Sequence, residues 1–242
     1  MAPGRKFAVF DIDGTLIRWQ LYHAVTDTLA RQGHISPKSY QAMRDARMNW
    51  KRRSSGSFDT YSIKVIEVYE SILKNVSFNQ LDEAIKTVFN EYKDQAYTYT
   101  RDLIAKLKKD GYFLLAISGS QTEIVAKIAK HYGFDDFAAT IYERTRTGFT
   151  GAKIVPALKK DSTLKELVAK HGLAYGGSIG VGDSLSDATM LKLVEQPIAF
   201  NPDTDFFEYA EREGWKVVVE RKNMIYELGS KNGKYQLVKT SA

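Results

Sequence analysis

Residues 6–15 read KFAVFDIDGT, a short apolar run that ends abruptly in two aspartates, a glycine and a threonine. Such a run is typical of a parallel strand that is buried on both faces. In open α/β sheets, ligands bind beyond the carboxyl ends of the strands, and Asp11 and Asp13 fall at that end. The stretch therefore predicts a buried first strand that delivers two carboxylates to a candidate site.

The chain after residue 100 alternates short apolar runs with amphipathic helical stretches. Tyr112–Ile117, Ser178–Val181 and Lys216–Val219 have the pattern of strands, and helical patterns lie between them. Strands that alternate with helices are typical of a parallel sheet covered on both faces. This part of the chain therefore predicts an α/β fold with a doubly wound parallel sheet.

Residues 18–100 carry a different pattern, because apolar side chains recur there at helical spacing in four successive stripes. The pattern predicts an all-helical insert, or cap, at residues 18–100. The α/β core would then consist of residues 1–17 and 101–220. Residues 221–242 are expected to form a small hairpin or a tail.

Polar residues also follow two later strands. Ser118 and Gly119 end the second strand, and Asp183 follows a later strand, with Asp187 four residues further on. If these strands are neighbours, the carboxylates converge, which is costly unless a cation joins them. Carboxylate oxygens suit Mg²⁺, which often takes a substrate phosphate as a further ligand. Ser118 and the backbone N–H of Gly119, near the start of a helix, would suit that phosphate.

Three segments resemble the first, second and fourth motifs of the haloacid dehalogenase superfamily: FDIDGTL at 10–16, ISGS at 117–120 and GDSLSD at 182–187. The helical insert between the first and second motifs is similar to the cap of the phosphoserine-phosphatase-like branch (subfamily IB). The resemblance covers residues 6–220 and implies a Rossmann-like core that carries this helical cap.

The resemblance implies a role for each acidic residue of these motifs. Asp11 would be the nucleophile that forms an aspartyl-phosphate, and it would also bind the metal. Asp13 would act as general acid and then as general base, and its backbone carbonyl would bind Mg²⁺. Asp183 would bind the metal directly, whereas Asp187 would act through water or hold other ligands in place.

The resemblance also implies groups that bind the phosphate. Ser118 and the Gly119 N–H would hold phosphoryl oxygens, and a lysine would stabilise the charge on them. The segment KDSTLKEL at 160–167 matches the third motif best when Lys160 is this catalytic, phosphate-binding lysine. Lys159 is the alternative, and adjacent helical residues point about 100° apart, so only one of the two can serve.

Composition excludes other kinds of site and suggests where specificity lies. The 242-residue chain has no cysteine, which excludes disulfides, thiolate metal sites and a cysteine nucleophile. Its net charge of +6 fits an anionic partner, and residues 38–53 hold six basic side chains and one acidic one. The candidate specificity residues are Trp19, Gln20, Arg52 and Arg53. Gln20 stands where phosphoserine-specific enzymes carry a glutamate, and a neutral amide provides no counter-charge for an amino group.

We therefore expect a Mg²⁺-dependent phosphomonoester hydrolase that acts on a small phosphorylated metabolite through an aspartyl-phosphate. One alternative is a phosphotransferase with the same intermediate. Another is a non-catalytic module that binds anions or nucleic acid through residues 38–53; the complete acidic set argues against it, and no nucleic-acid-binding module is recognisable. No apolar run is long enough for a signal peptide or a membrane span, so we expect a cytoplasmic protein. The sequence leaves the oligomeric state open.

Overall fold

The computed structural model describes residues 4–52, 57–231 and 234–241, with the backbone alone at residues 57–59. The strands are β1 (Lys6–Phe10), β2 (Phe113–Gln121), β3 (Asp136–Arg144), β4 (Phe149–Ile154), β5 (Ala174–Gly182), β6 (Gln196–Phe200), β7 (Lys216–Arg221), β8 (Met224–Lys231) and β9 (Lys234–Ser241). The helices are α1 (Leu21–Arg31), α2 (Pro37–Lys51), α3 (Ser57–Leu73), α4 (Phe78–Tyr92), α5 (Thr98–Lys109), α6 (Thr122–Tyr132), α7 (Lys160–His171), α8 (Ala188–Leu191) and α9 (Thr204–Glu213). Single 3₁₀ turns precede α7 and α8, at Pro156–Lys159 and Leu185–Asp187.

The described strands have the order β4-β3-β2-β1-β5-β6-β7-β8-β9. β1 pairs in parallel with β2 on one side and with β5 on the other. β3, β6 and β7 continue the parallel arrangement, whereas β4, β8 and β9 are antiparallel to their neighbours. Because β1 lies between two strands, its residues Phe7–Phe10 are fully buried. The predicted α/β fold with a parallel sheet is confirmed.

Apolar side chains of β1 and β2 hold the centre of this sheet in place. Val9 and Ile117 belong to one hydrophobic cluster that also contains buried residues of α7, α8 and α9. Gly180 of β5 allows α8 to approach closely, because a Cβ there would lie 2.7 Å from the Leu191 side chain. Since burial of apolar surface fixes these three strands, their carboxyl ends form one rigid edge.

The described residues divide into two compact units. One, the helical unit, consists of Gln20–Glu91 and Ile141–Ile154; the other, the sheet unit, contains the remaining described residues. The sequence pattern predicts that residues 141–154 belong to the α/β core. In the structure they belong to the helical unit. The Tyr142 hydroxyl lies 2.9 Å from that of Tyr22 and donates to Glu70, so this segment packs with α1 and α3.

Aromatic side chains and one ion pair fill part of the helical unit. His23 packs edge-on against Tyr61 with 4.5 Å between ring centroids, and Trp50 stacks on the same ring at 5.5 Å. The Arg47 guanidinium donates to the Tyr61 hydroxyl and to Asp27, each at 2.7 Å. Arg47 is therefore turned inward, and its charge contributes little to the exposed surface of the basic segment 38–53.

Residues 224–231 and 234–241 extend the sheet beyond β7. β8 and β9 form a hairpin, which is one of the two forms expected for residues 221–242. The Tyr235 hydroxyl donates to the Trp215 carbonyl at 2.5 Å, and its ring packs on Phe207 at 5.3 Å. These contacts attach β9 to α9 and to the short connection between α9 and β7.

The longest described helix, α3, has 17 residues. A membrane span needs about 20 consecutive apolar residues. Among the helices that the structure describes, none is long and apolar enough to cross a bilayer. The expected cytoplasmic location stays a prediction.

Burial of His23 makes the stability of the fold depend on pH. Burial, with the Arg47 charge in addition, lowers the pKa of His23 to about 3. In the unfolded chain its pKa is about 6.5, so the unfolded state takes up a proton first as pH falls. We expect this single group to remove about 2 kcal/mol of unfolding free energy between pH 7.5 and pH 5.

Urea unfolding of the wild type and of His23→Gln at several pH values checks this expectation. The variant lacks the titrating ring, so the difference in unfolding free energy between the two proteins should narrow toward pH 5. Parallel pH profiles would contradict a buried, neutral His23.

Candidate active site

The first strand ends in a tight turn that holds Asp11 and Asp13. The Asp11 N–H donates to the Val181 carbonyl at 3.0 Å, which continues the pairing between β1 and β5. Gly14 has a φ of +88°, and a Cβ there would lie 2.2 Å from an Asp183 carboxylate oxygen. Only glycine allows this backbone conformation and this approach together. The turn therefore places its backbone directly against Asp183.

Lys160 is the first residue of α7, and its ammonium lies at the centre of the site. Its Nζ is 2.6 Å from Asp11, 2.5 Å from Asp187 and 3.3 Å from the Ile117 carbonyl. The side chain is 2% exposed. Burial by itself lowers the pKa of Lys160, but the Asp11 and Asp187 carboxylates outweigh it and the pKa is raised. Lys159, the alternative, is exposed at the end of the 3₁₀ turn.

Asp187 organises the turn that carries Asp183. Its second carboxylate oxygen accepts from the N–H groups of Asp183 and Ser184, at 3.0 and 3.1 Å. Gly182 makes room for it, because a Cβ there would lie 2.4 Å from the Asp187 side chain. One carboxylate oxygen of Asp187 therefore accepts hydrogen bonds from this turn, and the other accepts one from Lys160.

Two buried carboxylates, Asp11 and Asp187, and the half-buried Asp183 share one small volume. Oxygen atoms of Asp11, Asp183 and Asp187 all lie within 4.8 Å of one another. Burial raises the pKa of Asp11 to about 7, against the lowering effect of Lys160, and the charges of Asp187 and Asp13 raise it further. Burial and the Asp11 charge also raise the pKa of Asp183. One ammonium cannot balance this set, whereas hard oxygen donors at such spacing fit a divalent cation of the Mg²⁺ type.

The carboxyl end of β2 completes the site. The Ser118 hydroxyl donates to Asp13 at 2.7 Å and accepts from the Ser120 N–H at 3.0 Å. Gly119 is exposed, and Thr140 anchors its carbonyl at 2.7 Å. The end of β2 leads directly into the first residue of α6, and the positive end of a helix favours anions.

The structure brings together the seven predicted residues of the catalytic centre. Lys160 donates to Asp11 and to Asp187, and Ser118 donates to Asp13, two residues after Asp11. Asp183 joins them through the Asp187 carboxylate, and Gly119 is next to Ser118 in the chain.

The candidate specificity residues are placed differently. Trp19 is half-buried at the end of the first segment of the sheet unit. Gln20 is half-buried and Arg52 is exposed, and both belong to the helical unit. Arg53 lies outside the described residues. A role in specificity for these four residues stays a prediction.

Sequence reasoning missed two threonines beside the site. The Thr15 hydroxyl donates to Asp183 at 3.2 Å, and the Thr100 hydroxyl donates to the Thr15 carbonyl at 2.9 Å. Thr15 lies inside the first motif, and this position in the sequence could have indicated that it contacts the site. Thr100 lies 85 residues away in a helix, and its sequence surroundings give no such signal.

Comparison with known proteins defines the class of this protein. The family model of haloacid dehalogenase-like hydrolases matches residues 8–192. The chain therefore belongs to the haloacid dehalogenase-like hydrolase family, as its motifs predict.

The relatives also match the predicted branch. The histidinol-phosphatase of Neisseria meningitidis is 26% identical over 222 residues, which cover 88% of this chain and 98% of that protein. A phosphoserine phosphatase of Albidiferax ferrireducens is 23% identical and covers 85% and 82% of the two chains.

Solved structures show the same fold. A protein of unknown function from Bordetella pertussis Tohama I superposes with a TM-score of 0.72 at 23% identity, over 88% of this chain and 98% of that one. A phosphoserine phosphatase solved as a phospho-aspartyl intermediate analogue gives a TM-score of 0.62 at 21% identity, over 90% and 95%. The prediction of a phosphoserine-phosphatase-like fold within this superfamily is confirmed.

The charge balance of the site predicts the effect of removing Lys160. Lys160→Met leaves buried carboxylates without their ammonium, and breaking a buried ion pair in this way costs about 3 kcal/mol or more. We expect that loss in the unfolding free energy at pH 8 with EDTA present, measured by urea denaturation.

Lys159→Met is the matched control. Its side chain is exposed, so its unfolding free energy should change by less than about 0.5 kcal/mol. Equal losses in the two variants would contradict the placement of Lys160 at the centre of the site.

Proposed function

We propose that this protein is a Mg²⁺-dependent phosphomonoester hydrolase that acts on a small phosphorylated metabolite through an aspartyl-phosphate on Asp11. The arrangement around Asp11 carries this proposal. A buried carboxylate lies 2.6 Å from Lys160, and a second carboxylate, Asp13, lies two residues away beside Ser118. The names of the phosphatase relatives support the same chemistry.

In the first step, a carboxylate oxygen of Asp11 attacks phosphorus and the bond from phosphorus to the alcohol oxygen breaks. Asp13, in its protonated form, gives its proton to the departing alcohol oxygen. The products of this step are the free alcohol and a phosphorylated Asp11. A covalent intermediate of this kind divides one difficult displacement into two easier ones.

In the second step, water attacks phosphorus and the bond between phosphorus and Asp11 breaks. Asp13, now a carboxylate, takes the proton from the water. Asp11 is regenerated and inorganic phosphate leaves. The Ser118 hydroxyl, which lies 2.7 Å from Asp13, helps to hold that side chain in place before the substrate binds.

Lys160, Ser118 and the Gly119 N–H would hold the phosphoryl oxygens. Stabilising the charge on these oxygens is the main requirement of phosphoryl transfer. Lys160 is held in place by two carboxylates, so its ammonium is already oriented before the substrate arrives.

Asp11, the Asp13 carbonyl, Asp183 and Asp187 would hold Mg²⁺. When bound, the ion would offset the carboxylate charges and those of the phosphoryl group. The carboxylate oxygens within 4.8 Å of one another supply the type of donor that this ion takes from a protein.

Substrate selection is proposed for Trp19, Gln20, Arg52 and Arg53. Two of these four residues are arginines, and a guanidinium suits a substrate with a negative charge besides its phosphate. Gln20 in place of a glutamate argues against phosphoserine, because an amide does not neutralise an ammonium group.

The Asp11→Asn variant tests the nucleophile. We expect phosphate release to fall by at least about 10³-fold, because an amide oxygen is a poor nucleophile toward phosphorus. The measurement is phosphate release over a panel of metabolite phosphates with Mg²⁺, with and without an alcohol acceptor, whose phosphorylation would indicate a transferase. Asp102→Asn is the control, since Asp102 is exposed and pairs with Arg101 on the surface. Activity of Asp11→Asn near that of the wild type would refute the proposal.

The Asp13→Asn variant tests the proton donor. An alkyl phosphate needs a proton on its leaving oxygen, so its hydrolysis should slow by about 10²–10⁴-fold. The first step with p-nitrophenyl phosphate should slow much less, because nitrophenolate leaves without a proton. Rapid-quench measurement of the nitrophenolate burst separates this step from the second one. Equal slowing of the first step for both substrates would show that Asp13 is not the acid.

A further inference from the structure

Glu220, near the end of β7, is a buried carboxylate outside the proposed catalytic centre. Its side chain is 1% exposed. It accepts from the N–H groups of Thr98 and Tyr99, at 3.1 and 2.9 Å, and from the Arg18 guanidinium. A buried carboxylate is costly unless several donors surround it, and these three supply that surrounding.

The two N–H groups that Glu220 accepts from belong to the first turn of α5. The residue before this helix, Tyr97, provides no side-chain cap. Glu220 therefore caps α5 from a different strand, and its negative charge lies at the positive end of the helix. The position of the start of α5 depends on this carboxylate.

Two further hydrogen bonds lead from the first turn of α5 to Asp183. Thr100, which is fully buried, donates to the Thr15 carbonyl at 2.9 Å. Thr15 in turn donates to Asp183 at 3.2 Å. Glu220, α5, Thr15 and Asp183 thus form a continuous path of direct contacts within the sheet unit.

A short pairing of two chain segments reinforces this path. The Tyr97 N–H donates to the Leu16 carbonyl, and the Arg18 N–H donates to the Gln95 carbonyl, each at 2.9 Å. The Arg18 guanidinium also donates to the Ala96 carbonyl at 2.8 Å. Since Arg18 pairs with Glu220, the same carboxylate fixes both segments.

We propose that Glu220 is a positioning residue that sets the orientation of Asp183 through α5, Thr100 and Thr15, and that it thereby tunes the affinity of the site for Mg²⁺. This inference rests on the proposed role of Asp183 as a metal ligand. Groups that orient a metal ligand from outside typically contribute 10–100-fold to metal affinity, and a longer path contributes less.

Calorimetric titration of the full chain with Mg²⁺ tests the proposal without a substrate. We expect Thr100→Val to weaken binding about tenfold and Glu220→Gln to weaken it about three- to tenfold. Because both act on one path, the double variant should bind within about twofold of Thr100→Val alone.

Ile104→Val is the matched control. Ile104 lies on the same helix and is buried, so the substitution leaves a small cavity and destabilises the fold without touching any of these hydrogen bonds. Its Mg²⁺ affinity should equal that of the wild type. Loss of affinity in Ile104→Val as large as in Thr100→Val would show a general effect of helix stability and overturn the proposal.

Asp183→Asn distinguishes a failure of the proposed metal site from a failure of the positioning role alone. Unchanged Mg²⁺ affinity in Asp183→Asn would overturn the proposed metal site, and the positioning role of Glu220 with it. Weaker binding in Asp183→Asn together with wild-type affinity in Thr100→Val would overturn the positioning role alone. Thr100→Val replaces the hydroxyl with a methyl group of similar size, so it tests the link from α5 to Thr15 even where Glu220→Gln does not fold. Wild-type affinity in folded Glu220→Gln would likewise overturn the positioning role.

Discussion

The contact of the Lys160 ammonium with Asp11 and Asp187 is the interaction on which the rest of this structure depends. Each partner comes from a different part of the fold: the end of β1, the start of α7 and the turn after β5. Burial makes every carboxylate here costly, and only the lysine and a cation can balance them. The sheet, its glycines and its apolar cluster therefore act together to bring charges of both signs to one edge with little freedom to move apart.

The sequence predicted much of this edge because its signals are local. An apolar run followed by aspartates shows where a buried strand ends, and Asp11 and Asp183 both lie at such ends. Choosing between Lys159 and Lys160 needed the fold, since the 3₁₀ turn before α7 determines which side chain points inward. Thr100 and Glu220 carry no local signal, because their partners are 85 or more residues away along the chain.

In the helical unit, too, contacts between residues far apart in the chain could not be predicted from local sequence. Helical periodicity correctly indicated helices between residues 18 and 100, but periodicity says nothing about which later segment joins them. That choice rests on hydroxyl and ring contacts of Tyr142 with Tyr22 and Tyr69, which are specific three-dimensional matches. The net charge of the basic segment likewise did not reveal that Arg47 faces inward to Asp27. Charge counted along the chain overstates the exposed charge wherever an arginine has a buried partner.

The two-part composition of the helical unit has a consequence for how the chain is made. Its first part ends at Glu91, and its second part ends at Ile154, so the unit acquires all its contacts only after residue 154 has been synthesised. At usual rates of translation the intervening residues take roughly 3–13 s to appear. Within this interval, once residue 121 has been synthesised, β1 and β2 are available to each other, whereas Tyr142 has yet to be added as the hydroxyl partner of Tyr22. The order of synthesis therefore allows β1 and β2 to pair before the helical unit is complete, whereas β5 and the helices that cover the sheet are made only afterwards.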